Sequence, residues 1–267
     1  MKTLLVSLLL STQVGAQVST AVIKNFNFNY RAPTGEGVAE SFSYQKAVRE
    51  AQVVRAERVG DEFRILLEGA EDRELNWKGA PDLIIGADVI KLSAFNLNYA
   101  GSLELTAVSG FFQSPLRILS FKSLSLSCDR NYVLGEATQQ LITGCFQKLQ
   151  FRASAFNSEG EGFDQAVMKA LDQGHNELLA KLGAKNIDLK ISSGKFNLSA
   201  DVQAQVSGTV KSKGVMTFEA PLKKVTVKID EVKFGFLNVT SKVFDELKKQ
   251  ESDSVKVSKP YVYIFLK

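Results

Sequence analysis

The sequence is poor in the residues that carry most side-chain chemistry. One histidine, His175, stands in 267 residues, which excludes His-rich metal sites and a Ser-His-Asp triad with any choice of base. His175 lies at the edge of an apolar helical stripe, between Leu171 and Leu179, the place of a boundary residue. Cys128 and Cys145 are the only cysteines, and their spacing is no metal or redox motif. One Trp and six Tyr are few for the aromatic girdles of an outer-membrane barrel. No apolar run is long enough for a membrane-spanning helix. "GEGVAESFS" and "SEGEGF" have no Lys in phosphate-loop order between a strand and a helix. Glu71-Asp72 and Asp230-Glu231 fall at turns or strand ends, where neighbouring side chains point apart. No catalytic constellation, cofactor site or metal site emerges, and the chain reads as a non-enzyme.

Charge is uneven. From Lys185 to Lys267 there are fifteen Lys, no Arg and nine acids, whereas residues 17–184 carry seventeen cations and twenty acids. A Lys-only surface favours anionic partners such as phospholipid head groups. Nucleic acid is not expected, because no Arg interleaves with aromatics there.

The opening MKTLLVSLLLSTQVGAQ has one cation, an apolar run from Leu4 to Leu10, and small residues at Val14-Gly15-Ala16. It reads as a secretory signal over 1–16. Residues 17–267 then form one elongated β-rich domain, with possible halves at 17–160 and 161–267, exported to the bacterial periplasm or outer-membrane periphery. Two cysteines suit that compartment as one disulfide, which would stabilise the fold by about 3 kcal/mol. Two buried free thiols are the alternative.

What the sequence does have is alternation. In GKFNLSADVQAQV, residues 194–206, Phe196, Leu198, Ala200, Val202, Ala204 and Val206 share one face while Asn197, Ser199, Asp201, Gln203 and Gln205 share the other. NFNFNYR, SLELTAVSGFF, LRILSFKSLSLSC, KLQFRASAF and KKVTVKIDEVKFGF repeat the pattern, giving ten to twelve strands. Helix signals are few. FDQAVMKALDQGHNELLAKL, 163–182, presents an apolar stripe closed by Gly183, and SKVFDELKK, 241–249, follows Thr240 or Ser241 as cap. The stretch 39–56 is ambiguous, with part of it open to a helical reading.

Two helices do not cover so much amphipathic sheet. The expected fold is therefore mainly β (α+β): a long curved antiparallel sheet or half-open barrel wrapped around the 163–182 helix, with a second short C-terminal helix. A flush β-sandwich without ligand, serving structure or protein interaction, is the alternative.

The order GKFNLSADV, SGTVKSKGVMTFE, KKVTVKIDEVKFGFLNV, SKVFDELKK and KPYVYIFLK resembles the LmeA-like family of exported phospholipid-binding proteins. It also resembles the strand units of AsmA-type envelope proteins that handle lipid. The resemblance covers the last third of the chain and implies an elongated β fold whose inner face holds acyl chains. The inward set it implies is Phe196, Leu198, Val202, Val206, Met216, Phe218, Val225, Val227, Ile229, Phe234 and Phe236. Lys211, Lys213, Lys223, Lys224, Lys228 and Lys233 are the accompanying head-group candidates at the rim. The expected partner is a phospholipid or other acyl lipid, with peripheral contact to an anionic membrane.

Overall fold

The computed structural model describes residues 21–44, 47–60, 62–68, 73–78, 86–99, 102–115, 117–129, 143–160, 181–203, 207–249 and 251–265. One antiparallel sheet of sixteen strands dominates. Its first half comprises β1 Ala21–Arg31, β2 Thr34–Tyr44, β3 Ala47–Val59, β4 Glu62–Glu68, β5 Arg73–Lys78, β6 Val89–Tyr99, β7 Ser102–Gln113 and β8 Arg117–Asp129. The second half comprises β9 Lys148–Gly160, β10 Lys181–Ser192, β11 Lys195–Gln203, β12 Gly208–Glu219, β13 Lys224–Phe234, β14 Leu237–Asn238, β15 Val255–Ser258 and β16 Tyr261–Phe265. A helical turn occupies 143–147, and helix α1 spans Thr240–Lys249.

The ladder is nearly sequential. β6 to β13 form a meander; β1 adds to the free side of β6 and carries β2 to β5 outward, while β16 and β15 extend the far flank from β13. Hairpins make this order natural, since antiparallel neighbours need only short turns. Between β10 and β11 the turn is Ser193-Gly194 with φ of 48° and 76°, the two left-handed residues that match strand twist. The ladder ends at β5 and β15, which do not pair with each other.

One face is apolar and shielded, the other polar and exposed. On β7, Leu103, Leu105 and Ala107 are buried while Glu104, Thr106 and Val108 are exposed. On the polar face Arg55 of β3 reaches Glu36 of β2 at 3.6 Å and Glu68 of β4 at 2.5 Å. Such exposed pairs add little stability each, but they keep that side in water.

A seam crosses the sheet at mid-strand. In β1, β6, β7, β8, β9 and β10 successive inward residues are once three apart rather than two: Ile23 to Phe26, Leu92 to Phe95, Ala107 to Gly110, Phe121 to Leu124, Ala153 to Phe156 and Ala184 to Ile187. Asn25, Ala94, Ser123 and Asn186 take φ of 46° to 50° at these steps. Side chains replace the interrupted ladder there. Asn96 Oδ1 accepts from the Asn25 N–H at 2.9 Å and Asn27 Oδ1 accepts from the Ala94 N–H at 3.0 Å. Such bulges bend strands and sharpen twist. Because they nest side by side, the apolar set stays on one face across the bend.

Several expectations change. The stretch 39–56 lies in β2 and β3, where pairing on both sides overrides the helix-forming Ala, Glu and Arg content. The 163–182 helix, with His175, lies outside the described residues apart from Lys181 and Leu182. Those two begin β10, opposite Glu159 and Ser158, and Gly183 continues the strand instead of capping a helix. The C-terminal helix is present, yet Thr240 does not cap it as expected: Asn238 Oδ1 accepts the Thr240 N–H at 3.0 Å, and the Thr240 hydroxyl accepts the Val232 N–H at 2.7 Å. The leader at 1–16 lies outside the described residues.

Candidate functional site

Cross-strand register assembles the apolar face row by row, because directly opposed residues share a face. One row runs from β13 to β2 through Val232, Ser212, Leu198, Leu189, Phe151, Leu126, Leu105, Leu97, Ile23 and Phe42. At the usual strand spacing it is roughly 40 Å long. That exceeds the ~30 Å hydrocarbon thickness of a bilayer. A parallel row joins Val202, Ala184, Phe156, Phe121, Gly110, Leu92, Phe28, Gly37 and Val54.

Aromatic rings on this face lean over glycines of the adjacent strand. Phe121 covers Gly110, Tyr30 covers Gly35, Phe28 flanks Gly37, Phe196 covers Gly214 and Phe234 covers Gly208, each with ring or β-carbon atoms where a glycine side chain would go. Rings laid over glycine keep the face smooth. Phe26, Phe28 and Tyr30 continue the pattern as a stack along β1, with centroids 5.5 and 6.5 Å apart. Burial among these rings pushes the Tyr30 phenol above its ordinary pKa.

The middle of the face is buried, Leu103, Phe112 and Leu126 being 2–5% exposed. Among the described residues no second sheet packs against it, and beyond ladder neighbours the substantial packing is that of α1 on β13 and β15. α1 buries Val243, Phe244 and Leu247 against Val232, Val255, Val257 and Val262. Lys248 Nζ donates to the Val257 carbonyl at 3.1 Å, and Glu251 accepts the Val257 N–H at 2.7 Å. The helix therefore closes one end of the face and leaves the stretch from β11 to β1 without it. Cys128 on β8 and Cys145 in the 143–147 turn form a disulfide, pinning that turn against the same face.

The expected inward residues divide. Phe196, Val202 and Val225 are buried, and Leu198, Met216, Phe218, Val227, Ile229 and Phe234 are half-buried. In register, Phe196 opposes Gly214, Met216 opposes Val227 and Phe218 opposes Val225. Val202, Val227, Ile229 and Phe234 belong to the cluster under α1. Phe236 is 91% exposed, in the turn that Gly235 makes with φ 58°; the reversal carries it off the sheet. Val206 lies outside the described residues.

The lysines are not gathered at a rim. Lys211, Lys213 and Lys233 stand mid-strand on the polar face, around a depression. Lys228 pairs with Asp230 at 2.8 Å on that face, which raises its pKa. Lys224 pairs with Glu219 at 2.8 Å beside the β12–β13 turn, where Lys223 is exposed.

Sequence reading confined the inward set to the last third. The larger apolar cluster lies earlier, around Tyr30, Ile90, Leu105, Phe112, Phe121 and Leu126. The signal was available in the alternation of SLELTAVSGFF and FKSLSLSC. Among the described residues no group of three His, Cys, Asp or Glu is placed to hold a metal, and no helix is long and apolar enough to cross a membrane. No family model, curated protein or solved structure matches the chain.

Proposed function

We propose that this chain is a non-enzymatic binder of acyl lipid, holding hydrocarbon along the apolar face between β11 and β1. The observation that carries the reading is the apolar row from Leu198 to Phe42, eight strands wide and buried or half-buried throughout. A sheet face of this kind must be covered by something apolar. An acyl chain gains about 0.8 kcal/mol per buried methylene. Contact with methylenes needs no precise polar geometry, so a carrier of this type works without catalytic residues.

Further support comes from the chain itself. The Cys128–Cys145 disulfide and the apolar opening sequence suit an exported protein in an oxidising compartment. The LmeA-like and AsmA-like order of the last strands points to phospholipid and to the bacterial envelope. The apolar stripe Phe163, Val167, Leu171 and Leu178 of the expected helix falls before β10 begins at Lys181 and is a candidate wall for the same groove.

The test is displacement of a fluorescent fatty acid, cis-parinaric acid, from the oxidised protein. Leu198→Arg places a charge on β11, at the first apolar position of the groove and at a half-buried site, and it is expected to weaken binding tenfold or more. Lys91→Gln on the polar face is expected to leave it unchanged. Saturable binding that ignores Leu198→Arg, or no binding by the native chain, contradicts the proposal.

A further inference from the structure

The polar face carries its own feature, independent of the apolar one. A shallow, open depression of about 320 Å³ sits over β10 to β13. Four lysines, Lys190, Lys211, Lys213 and Lys233, line it against two carboxylates, Asp188 and Glu231.

The carboxylates are already committed. Glu231 is held by Lys233 at 2.9 Å and Lys213 at 3.3 Å, which keeps its carboxyl below the ordinary range. Asp188 Oδ2 takes Lys190 at 3.3 Å, while Oδ1 lies 3.7 Å from Arg152 and has no hydrogen-bond partner among the described residues. Among the described residues Lys211 has no such partner. Its directly opposed neighbours are Ser199 on β11 and another lysine, Lys233, on β13. The nearby Asp201 is engaged by Asn186 and Thr209, each at 2.8 Å. Like charges directly opposed across a ladder destabilise a sheet. Lys233 already has Glu231 at 2.9 Å, so Lys211 is the ammonium left for an anion from outside, in a lining with an excess of two positive charges.

We propose that this depression binds a phosphate-class dianion, with Lys211 as the principal contact and Lys190, Lys213 and Lys233 flanking. Lysine ammonium groups act as compact point charges that suit a phosphate-class dianion, whose double negative charge matches the excess of two in the lining. Asn197 and Ser199, both in the lining, add neutral donors. The same dianion is presented by a soluble phosphate compound or by the phosphomonoester head group of a lipid. The site lies on the face opposite the proposed acyl groove, so it does not require that reading.

The experiment titrates the oxidised protein with inorganic pyrophosphate by calorimetry. In parallel it floats the protein with phosphatidylcholine vesicles, plain or doped with phosphatidic acid. Lys211→Gln is expected to weaken pyrophosphate binding about tenfold or more, the loss of one charge-assisted contact. Lys91→Gln, an equal charge change on β6, is expected to leave it unchanged, and Lys211→Arg to retain most of it. Lys211 is exposed and has no ion-pair partner among the described residues, so all three variants are expected to melt with the native chain. Vesicle flotation that depends on both phosphatidic acid and Lys211 assigns a lipid head group; pyrophosphate binding without flotation assigns a soluble ligand. Absence of saturable binding to either probe, or equal losses in Lys211→Gln and Lys91→Gln, overturns the site.

Discussion

The ring of Phe121 lies over Gly110 on the neighbouring strand so closely that a β-carbon at Gly110 would overlap it. The pair sits in the apolar face beside the mid-sheet seam, with Phe121 directly opposed to Gly110 in the β7–β8 ladder. Ring and glycine are thus one packing unit, and neither is replaceable alone. Gly110→Ala is expected to destabilise the protein by about 1–3 kcal/mol through overpacking. Adding Phe121→Leu should recover part of that loss, as urea unfolding of the two single variants and the double variant will read. Strictly additive losses would mean the two residues do not pack as described.

α1 is tied down mainly by three side chains, of which Leu247 is the deepest at 1% exposure. Leu247→Ala is expected to cost about 2–5 kcal/mol. Hydrogen exchange should show the amides of α1 and β15 losing protection well before those of β7 and β8. Uniform loss over the whole sheet would show that the α1 end is not a separate unit.

The contact between α1 and β15 also responds to acid. Glu251 accepts the Val257 N–H and the Lys248 ammonium, and these hold its carboxyl below the ordinary 4.5, the backbone hydrogen bond first. A depressed folded pKa means the stabilisation is fully present above 4.5 and disappears as pH falls through the lower folded value. Protection of the Val257 amide should therefore fall with pH below 4.5 in the native chain. In Glu251→Gln that dependence should be absent.

The disulfide joins residues 17 apart. Closing a loop of this size restricts the unfolded chain, so reduction should cost about 3 kcal/mol. The melting temperature with and without reductant measures it. Cys128→Ser with Cys145→Ser should melt with the reduced native chain.

Much of the strand content was legible because alternation is a local signal. Phe196, Leu198, Ala200 and Val202 could be assigned a common face from GKFNLSADV alone, but the strand read on through Val206 ends as β11 at Gln203, and β12 runs antiparallel to it from Gly208. The seam was harder to read. Leu92 and Phe95 share a face only because Ala94 adopts a left-handed backbone conformation, so the strand looks like two fragments of opposite phase. β3 was obscured for another reason: AVREAQVVRAERV is composed of good helix formers, and only its pairing with β2 and β4 makes it extended. For the candidate site, the alternation marked the dry side but not its extent, since register between distant strands decides which rows join. The lysines illustrate the same limit. Lys211 and Lys233 are 22 positions apart in sequence and opposed in the sheet, which no local pattern shows.

The most direct measurement is native mass spectrometry of the gently purified, oxidised chain, paired with analysis of its organic extract. The account predicts stoichiometric co-purifying acyl lipid that is lost from Leu198→Arg. A lipid-free native chain whose melting temperature does not move when phospholipid is added would contradict it.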